Sequence, residues 1–187
     1  MKVVTAWLNN NDARCQLAQR RMLRSVLDCG FEPVIVNGTP RPLLTDMLKL
    51  ARSLSPDGGH FMWLNSDCEI DRNEFPQPHE SRVIGMHRVE SADGSVCGGV
   101  DGYIIPCAVW DKYYVPDLPE MFVGGTHVDW WLTRLAQRIC RYERRICLRH
   151  ISHEKSATSA GLDYHGKCNL AQFHAWAARN GIDRGYE

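Results

Sequence analysis

The sequence lacks any long apolar run. No stretch of the 187-residue chain approaches the roughly 20 consecutive apolar residues that a membrane-spanning helix needs. The apolar run near the N-terminus is also too short for the core of a secretory signal peptide. We therefore expect a cytoplasmic protein without a membrane span.

The eight cysteines form no recognisable metal-binding or redox motif. They stand at positions 15, 29, 68, 97, 107, 140, 147 and 168, and none belongs to a Cys-x-x-Cys pair. This spacing argues against a zinc ribbon or a thioredoxin-like site. We expect reduced thiols, several of them buried as small apolar side chains.

The chain also lacks an excess of either charge. It contains 22 basic and 22 acidic residues, so no global field attracts nucleic acid or an anionic membrane. A local stretch from Arg134 to Arg149 nevertheless holds six arginines. Its simplest interpretation is the solvated face of a helix and the following turn. The alternative is an electrostatic guide for an anionic donor or for nucleic acid.

The first 70 residues predict alternating strands and helices. No Gly-x-Gly-x-x-Gly follows the first strand, which argues against a classical dinucleotide fold, and the absence of Gly-x-x-x-x-Gly-Lys-Ser/Thr excludes a P-loop NTPase. Strand, helix, strand, helix, strand implies a parallel sheet with right-handed crossovers. The predicted elements span residues 2–8, 13–29, 32–38, 43–54 and 60–70.

The second half is less regular. No repeat or linker separates it from the first half, so we predict a single α/β domain over residues 1–187. An irregular loop is expected at 119–126. Strands are predicted at 82–87, 100–106 and 145–151, and helices at 128–140 and about 169–179.

The tract from His60 to Ile70 is the strongest indication of a functional site. An apolar run ends there in a polar cluster that holds Asn65, Asp67 and Glu69. Acids two residues apart share one face of an extended backbone, and open α/β folds bind ligands at the carboxyl ends of their strands. Such acids suit a Mg²⁺ or Mn²⁺ ion that bridges the protein to a diphosphate. The alternative is a buried strand followed by a polar turn.

Two further sites could contribute ligands. His150 and His153 could complete a Mn²⁺ site from the far end of the chain, or they could be surface or capping histidines. Asp101 lies close to glycines inside a β-prone run, where glycine permits close ligand approach. Asp101 could therefore bind sugar hydroxyls, or it could simply open a strand.

The start of the helix predicted at 128–140 holds an acid and two tryptophans. Asp129 is favoured there merely as a negative charge at a helix N-terminus. Adjacent tryptophans cannot share one helix face, so Trp130 or Trp131 could line a pocket, although both could also belong to the core.

Taken together, these residues resemble a glycosyltransferase of the GT-A fold, and more narrowly the small glycosyltransferase-like proteins of phages, large viruses and bacteria. Asn65-Ser66-Asp67 stands where that family has its Asp-x-Asp-type metal motif. The resemblance covers nearly the whole chain. Its other segments are 22–27 before Gly30-Phe31, Val36-Asn37, 102–105, 121–125, 128–130, 153–155 and 169–171.

The resemblance implies a GT-A-like mixed, mainly parallel sheet flanked by helices. It divides the domain into a nucleotide-binding half (1–70) and an acceptor half with a C-terminal metal-ligand segment (71–187). It implies a UDP- or GDP-sugar donor, Mn²⁺ or Mg²⁺ held by Asp67 and His153, and catalytic roles for Asp101 and Asp129. Asp101 would hold donor or acceptor hydroxyls, and Asp129 would be the general base of an inverting reaction. The implied donor-binding residues are Thr5, Ala6, Asn37, Asn65, Asp67 and Trp130.

The predicted function is metal-dependent transfer of a sugar from a nucleotide sugar to a hydroxyl acceptor. A nucleotidyltransferase and a degenerate, non-catalytic binding module are the alternatives, and Asn65 in place of an acid favours the module. A second departure is the segment 156–159, where the family has another histidine and a tryptophan. A viral origin would place the protein in the host cytoplasm and would make nucleic acid a conceivable acceptor.

Overall fold

The computed structural model describes residues 1–7, 13–37, 41–115, 118–123, 128–139, 141–151 and 164–182. Within these ranges one mixed sheet of seven strands packs against helices, which confirms the α/β class. The strands are β1 (Lys2–Trp7), β2 (Glu32–Asn37), β3 (His60–Leu64), β4 (Cys68–Ile70), β5 (Val83–Glu90), β6 (Val96–Pro106) and β7 (Tyr142–His150). The helices are α1 (Ala13–Asp28), α2 (Leu44–Ser53), α3 (Cys107–Val109), α4 (Val128–Arg138) and α5 (Tyr164–Asn180), and a π-helical segment (Trp110–Tyr114) follows α3.

The first half of the sheet has the predicted order of elements. β1 pairs in parallel with β2 on one side and with β3 on the other. The apolar positions Ala18, Met22 and Val26 of α1 recur at helical spacing and are buried. Gly30 follows with a φ of 73°, a left-handed conformation that glycine adopts without a Cβ penalty, so the helix ends where the sequence predicts.

The tract from 60 to 70 is not one strand, and this part of the prediction is wrong. β3 ends at Leu64, a turn follows in which the amide of Cys68 donates to the Asn65 carbonyl (3.3 Å), and β4 then pairs with β7. Both Cys68 and Ile70 are buried in the apolar cluster beneath α1. Burial of those two side chains favours the separate strand, and Asp67 and Glu69 consequently do not share an extended face.

The second half adds antiparallel strands to the parallel ones. The complete order is β2-β1-β3-β6-β5-β7-β4. β6 pairs antiparallel with β3 and β5, β4 pairs antiparallel with β7, and β5 pairs in parallel with β7. β6 therefore joins the two halves of the sheet, and it is the strand that carries Asp101.

Two apolar clusters cover the sheet. One contains α1 residues together with Met62, Ile84 and Leu148. The other combines aliphatic side chains of α2 with aromatic side chains from β3, β6, the π-helical segment, α4 and α5. Trp131 is fully buried there, whereas Trp130 is half-buried, with its ring 5.8 Å from that of Phe173. None of the described helices is long and apolar enough to cross a membrane.

The close contact between Gly85 and Tyr142 generates a first prediction. A Cβ at Gly85 would lie 2.3 Å from the Tyr142 hydroxyl oxygen, whereas a Cβ at Gly98 would meet nothing within 4 Å. We expect Gly85→Ala to destabilise the protein by about 1–3 kcal/mol, as other overpacking substitutions do, with Gly98→Ala nearly neutral. Urea unfolding measures both, and equal effects of the two substitutions would contradict the packing described.

Candidate functional site

The carboxyl ends of the three parallel strands meet at one edge of the sheet. Trp7 and Asn37 are paired at the ends of β1 and β2, and Asn65 follows the end of β3. Thr5 and Ala6 are buried in β1, and Asn37 is exposed. The hydroxyl of Thr5 has no hydrogen-bond partner among the described residues. The predicted nucleoside-binding residues therefore lie at the edge where open α/β folds bind ligands.

Asn65 is bound to Asp101 through both its backbone and its side chain. Its backbone amide donates to the Asp101 carbonyl (2.8 Å), and its side-chain amide donates to Oδ1 of Asp101 (2.8 Å). An acid at position 65 would place two carboxylates in contact at a partly buried position, which like-charge repulsion disfavours. The structure thus gives a physical reason for an amide, rather than an acid, at position 65.

Asp101 is the most buried acid of the site. Its Oδ1 accepts a second hydrogen bond from Nη1 of Arg88 (2.7 Å), while its Oδ2 is buried without a partner among the described residues. Burial raises the pKa of Asp101, and the positive charge of Arg88 opposes that rise. The carboxylate is therefore held on one oxygen and has an unused acceptor on the other.

A chain of polar contacts leads from Arg88 to Asp67. Nε of Arg88 donates to Oε1 of Glu90 (2.9 Å), whose Oε2 lies 2.6 Å from Nδ1 of His150. Nε2 of His150 in turn lies 3.4 Å from Oδ2 of Asp67. We refer to this set as the polar network; its members are Asn65, Asp67, Arg88, Glu90, Asp101 and His150.

Arg88 and Glu90 are not among the site residues predicted from the sequence. The strand predicted at 82–87 ended before both residues, while β5 continues to Glu90. The only available signal was an Arg-x-Glu pair with the two-residue spacing of one strand face. Both residues acquire their partners from β6 and β7, and the sequence does not reveal those pairings.

Asp129 lies beside the polar network at the start of α4. It is half-buried, and its Oδ2 lies 3.4 Å from the amide nitrogen of Val100. Burial raises the pKa of Asp129, and the charge of Asp101 raises it further. The Tyr103 hydroxyl donates to the Asp129 carbonyl (2.7 Å), so β6 fixes the first turn of α4.

The metal ligands predicted from sequence have different surroundings. The Asp67 side chain is 29% exposed, and Glu69 is bound by two hydrogen bonds of 2.7 Å from Arg21. His153 lies outside the described residues, within which no group of three histidine, cysteine or acidic side chains could hold a metal. Mg²⁺ and Mn²⁺ often take only one or two ligand oxygens from the protein. The Asp67 carboxylate therefore fits the role of a ligand, with phosphate and water oxygens completing the coordination.

The basic stretch from Arg134 to Arg149 contributes mainly to contacts within the protein. Arg145 and Arg149 form ion pairs with Glu143 and Asp71 respectively. Arg138 donates to the Asn180 carbonyl, and Arg141 donates to the Ser81 carbonyl. These contacts give the stretch a structural part, although Arg144, Arg145 and Arg149 lie on strand β7 and not on a helix and the following turn as the simpler interpretation had it.

No protein-family model matches the chain, and no curated protein matches it. A mutant of Drosophila β-1,4-galactosyltransferase 7, solved with manganese, UDP-Gal and xylobiose, is similar in structure. The similarity covers 81% of this chain and 71% of that one, with a TM-score of 0.51 and 11% identity. A glycosyltransferase involved in glycosylation of the major capsid of PBCV-1 matches 91% of this chain and 97% of its own, with a TM-score of 0.47 and 10% identity.

The fold is that of GT-A glycosyltransferases, which confirms the fold class predicted from the sequence. At these identities the similarity concerns the fold alone. The Drosophila galactosyltransferase shares that fold with this chain at a TM-score of 0.51.

The contact between His150 and Asp67 predicts how stability changes with pH. The hydrogen bond with Asp67 is the largest cause of the raised pKa of His150, and burial opposes it. The folded-state pKa lies above the unfolded value, so the stabilisation is complete below that lower value and is lost as pH rises through the folded-state pKa. In EDTA, the thermal midpoint should therefore fall more between about pH 6 and about pH 8.5 in the wild type than in His150→Gln. His79→Gln, at an exposed histidine, is the control, and equal pH dependence in wild type and His150→Gln would contradict the contact.

Proposed function

We propose that this protein is a metal-dependent glycosyltransferase that moves a sugar from a nucleotide sugar to a hydroxyl acceptor. One observation carries the proposal. Asp67, Asp101 and Asp129 lie far apart in sequence, yet they come together beyond the end of β3. Asn65, two residues before Asp67, donates two hydrogen bonds to Asp101, and Oδ2 of Asp129 lies 3.4 Å from the amide nitrogen of Val100, the neighbour of Asp101. A cluster of acids at the carboxyl edge of a GT-A-type sheet is suited to a cation, a diphosphate and an acceptor hydroxyl.

Asp67 and His153 are the proposed metal ligands. The partial exposure of Asp67 supports its role as a metal ligand, because a cation bound there could keep water or phosphate oxygens as further ligands. Mn²⁺ or Mg²⁺ would neutralise the charge that develops on the leaving diphosphate. The manganese and UDP-Gal bound by the Drosophila protein make Mn²⁺ and uridine nucleotides the first probes to use.

The proposed donor site continues along the edge of the sheet. Thr5, Ala6 and Asn37 would contact the nucleoside, supported by their position at the ends of β1 and β2. Asn65 would hold the turn that carries Asp67, through its bonds to Asp101. The indole of Trp130, next to Asp129 on α4, would contact the donor with the part of its surface that remains exposed.

Asp129 is the proposed general base, and Asp101 the proposed partner of a substrate hydroxyl. Burial and the charge of Asp101 raise the pKa of Asp129, and a higher pKa makes a carboxylate a stronger base. In an inverting reaction Asp129 would accept the proton of the acceptor hydroxyl as its oxygen attacks the anomeric carbon. In a retaining reaction the leaving phosphate could accept that proton instead.

A non-catalytic nucleotide- or sugar-binding module is the second candidate. The observation that favours it is that position 65 holds an asparagine, whose side-chain amide is already bound to Asp101. The Asp-x-Asp-type motif would therefore have one acid fewer here than in its usual form. Such a module would bind a nucleotide or nucleotide sugar without transfer or hydrolysis of any donor.

Metal-dependent nucleotide binding tests the metal site. Calorimetric titration with UDP and GDP, with and without Mn²⁺, should show Mn²⁺-dependent binding to the wild type. Asp67→Ala should weaken it by at least about tenfold, since even substitutions that only orient metal ligands cost that much, and His153→Ala should weaken it less. Glu69→Ala is the matched control, because Arg21 already binds that carboxylate. Retained Mn²⁺-dependent binding in Asp67→Ala would place the metal elsewhere.

Substitution of the proposed base separates catalysis from stability. Asp129→Asn should lower transfer or donor hydrolysis by about 10²–10⁴-fold, the usual contribution of general base catalysis. Because burial raises the pKa of Asp129, ionisation at neutral pH costs stability, so the thermal midpoint should stay the same or rise. Nucleoside diphosphate release from UDP-galactose, UDP-glucose and GDP-mannose provides the assay. Asp46→Asn, an exposed acid in the first turn of α2, is the control, and full activity of Asp129→Asn would exclude the role of base.

A further inference from the structure

We infer that Arg88 is a positioning residue of the proposed transferase: it orients Asp101 so that Oδ2 accepts a hydroxyl of the donor sugar, and it couples that acid to the metal-binding turn through Glu90 and His150. This inference rests on the proposed function and deepens it. The Arg-x-Glu pair is the one signal for Arg88 in the sequence, and the role of Arg88 follows from its contacts in the structure.

One guanidinium binds two carboxylates from different strands. Nη1 of Arg88 donates to Asp101 on β6 and Nε donates to Glu90 on β5, while the Arg88 side chain is only 15% exposed. The donors of a guanidinium lie in a rigid plane, so the two hydrogen bonds fix the carboxylates relative to each other. A lysine ammonium could supply the charge but would not impose this geometry.

The two carboxylate oxygens of Asp101 differ in their hydrogen bonding. Asn65 and Arg88 both donate to Oδ1, whereas Oδ2 is buried and receives no hydrogen bond from the described residues. A buried acceptor without a donor costs free energy, which a hydroxyl donor would recover. Because Asn65 belongs to the turn that carries Asp67, a hydroxyl beside Oδ2 would belong to the sugar next to the diphosphate.

The second hydrogen bond of Arg88, to Glu90, connects it to the turn that carries Asp67, the proposed metal ligand. Glu90 is paired with His150 in the register of β5 and β7, and its carboxylate contacts the His150 ring, which faces Asp67. Arg88 thus lies between the acid proposed for the sugar and the acid proposed for the cation. A substitution at Arg88 would act directly on Asp101 and would reach Asp67 only through Glu90 and His150.

An irregularity in the backbone supports the placement of Arg88. The register of β5 shifts at His87 against both of its neighbours, β6 and β7. Bulges of this kind change the direction of the side chains that follow and occur frequently next to functional sites. Against β6 the register shifts between Met86 and His87 and again between His87 and Val89, and against β7 it shifts between His87 and Arg88. The strand therefore departs from regular pairing where the Arg88 side chain is placed.

The experiment compares Arg88→Met and Arg88→Lys with Arg52→Met. Arg52 is the matched control, because it is also ion-paired with two carboxylates, Asp57 and Asp111, and its side chain is 21% exposed, yet it lies outside the polar network. Affinities for UDP and for UDP-galactose, UDP-glucose or GDP-mannose are measured in Mn²⁺, and the orientation of the Asp101 carboxylate is determined from crystal structures of the variants.

We expect Arg88→Met to weaken binding of the nucleotide sugar by about tenfold, the size of one hydrogen bond to a charged group, and to weaken UDP binding much less. Arg88→Lys should recover part of the loss, and Arg52→Met should reduce only the thermal midpoint. In Arg88→Met the Asp101 carboxylate should rotate within an unchanged β5–β6 backbone. An unchanged Asp101 orientation, equal losses for UDP and the nucleotide sugar, or the same loss in Arg52→Met would overturn the inference. A wild type that binds no nucleotide in Mn²⁺ would instead overturn the proposed function, and the Asp101 orientation would still decide the positioning role of Arg88.

Discussion

The hydrogen bonding of the buried Asp101 carboxylate is the constraint on which the rest of the candidate site depends. Burial raises the cost of its charge, and only the donors Asn65 and Arg88 offset that cost among its described contacts. The hydrogen bonds to Asp101 thereby hold both donor side chains in place. Asn65 shapes the turn that carries Asp67, and Arg88 shares its guanidinium with Glu90. The polar side chains of the site therefore form one electrostatic unit, in which a change at one member alters the others.

The sheet topology explains why this unit forms where it does. β6 lies between β3 and β5, so a residue near its middle can contact the end of one strand and the side of another. Asp101 uses this position, because Asn65 follows β3 and Arg88 belongs to β5. The parallel half thereby supplies the edge that carries the predicted nucleoside-binding residues. The antiparallel half supplies the charges that hold its acidic turn in place.

The sequence predicted the parts of this structure that depend on local patterns. Helical spacing of apolar residues predicted α1, and Gly30 marked its end because a left-handed conformation is needed there. The polar residues after β3 lie at the carboxyl edge of the parallel strands, as predicted, although the strand predicted over 60–70 is divided into β3 and β4. The separate strand β4, the bulge at His87 and the partners of Arg88 escaped prediction because each depends on pairing between distant segments. The chemical roles of Asp67, Asp101, Asp129 and His153 remain predictions, since fold similarity at 11% identity does not test them.

Charge balance connects the polar network to the ligands proposed for it. The chain as a whole is neutral, yet the site gathers the carboxylates of Asp67, Glu90, Asp101 and Asp129 around one guanidinium and one imidazole. Even with His150 protonated, the acids outnumber the cations among the residues of the site that the structure describes, and a diphosphate arriving alone would meet a field of its own sign. A divalent cation at Asp67 would reverse that field at the point where the proposed diphosphate would bind. Electrostatics would therefore favour joint binding of the proposed metal and nucleotide over binding of the nucleotide alone.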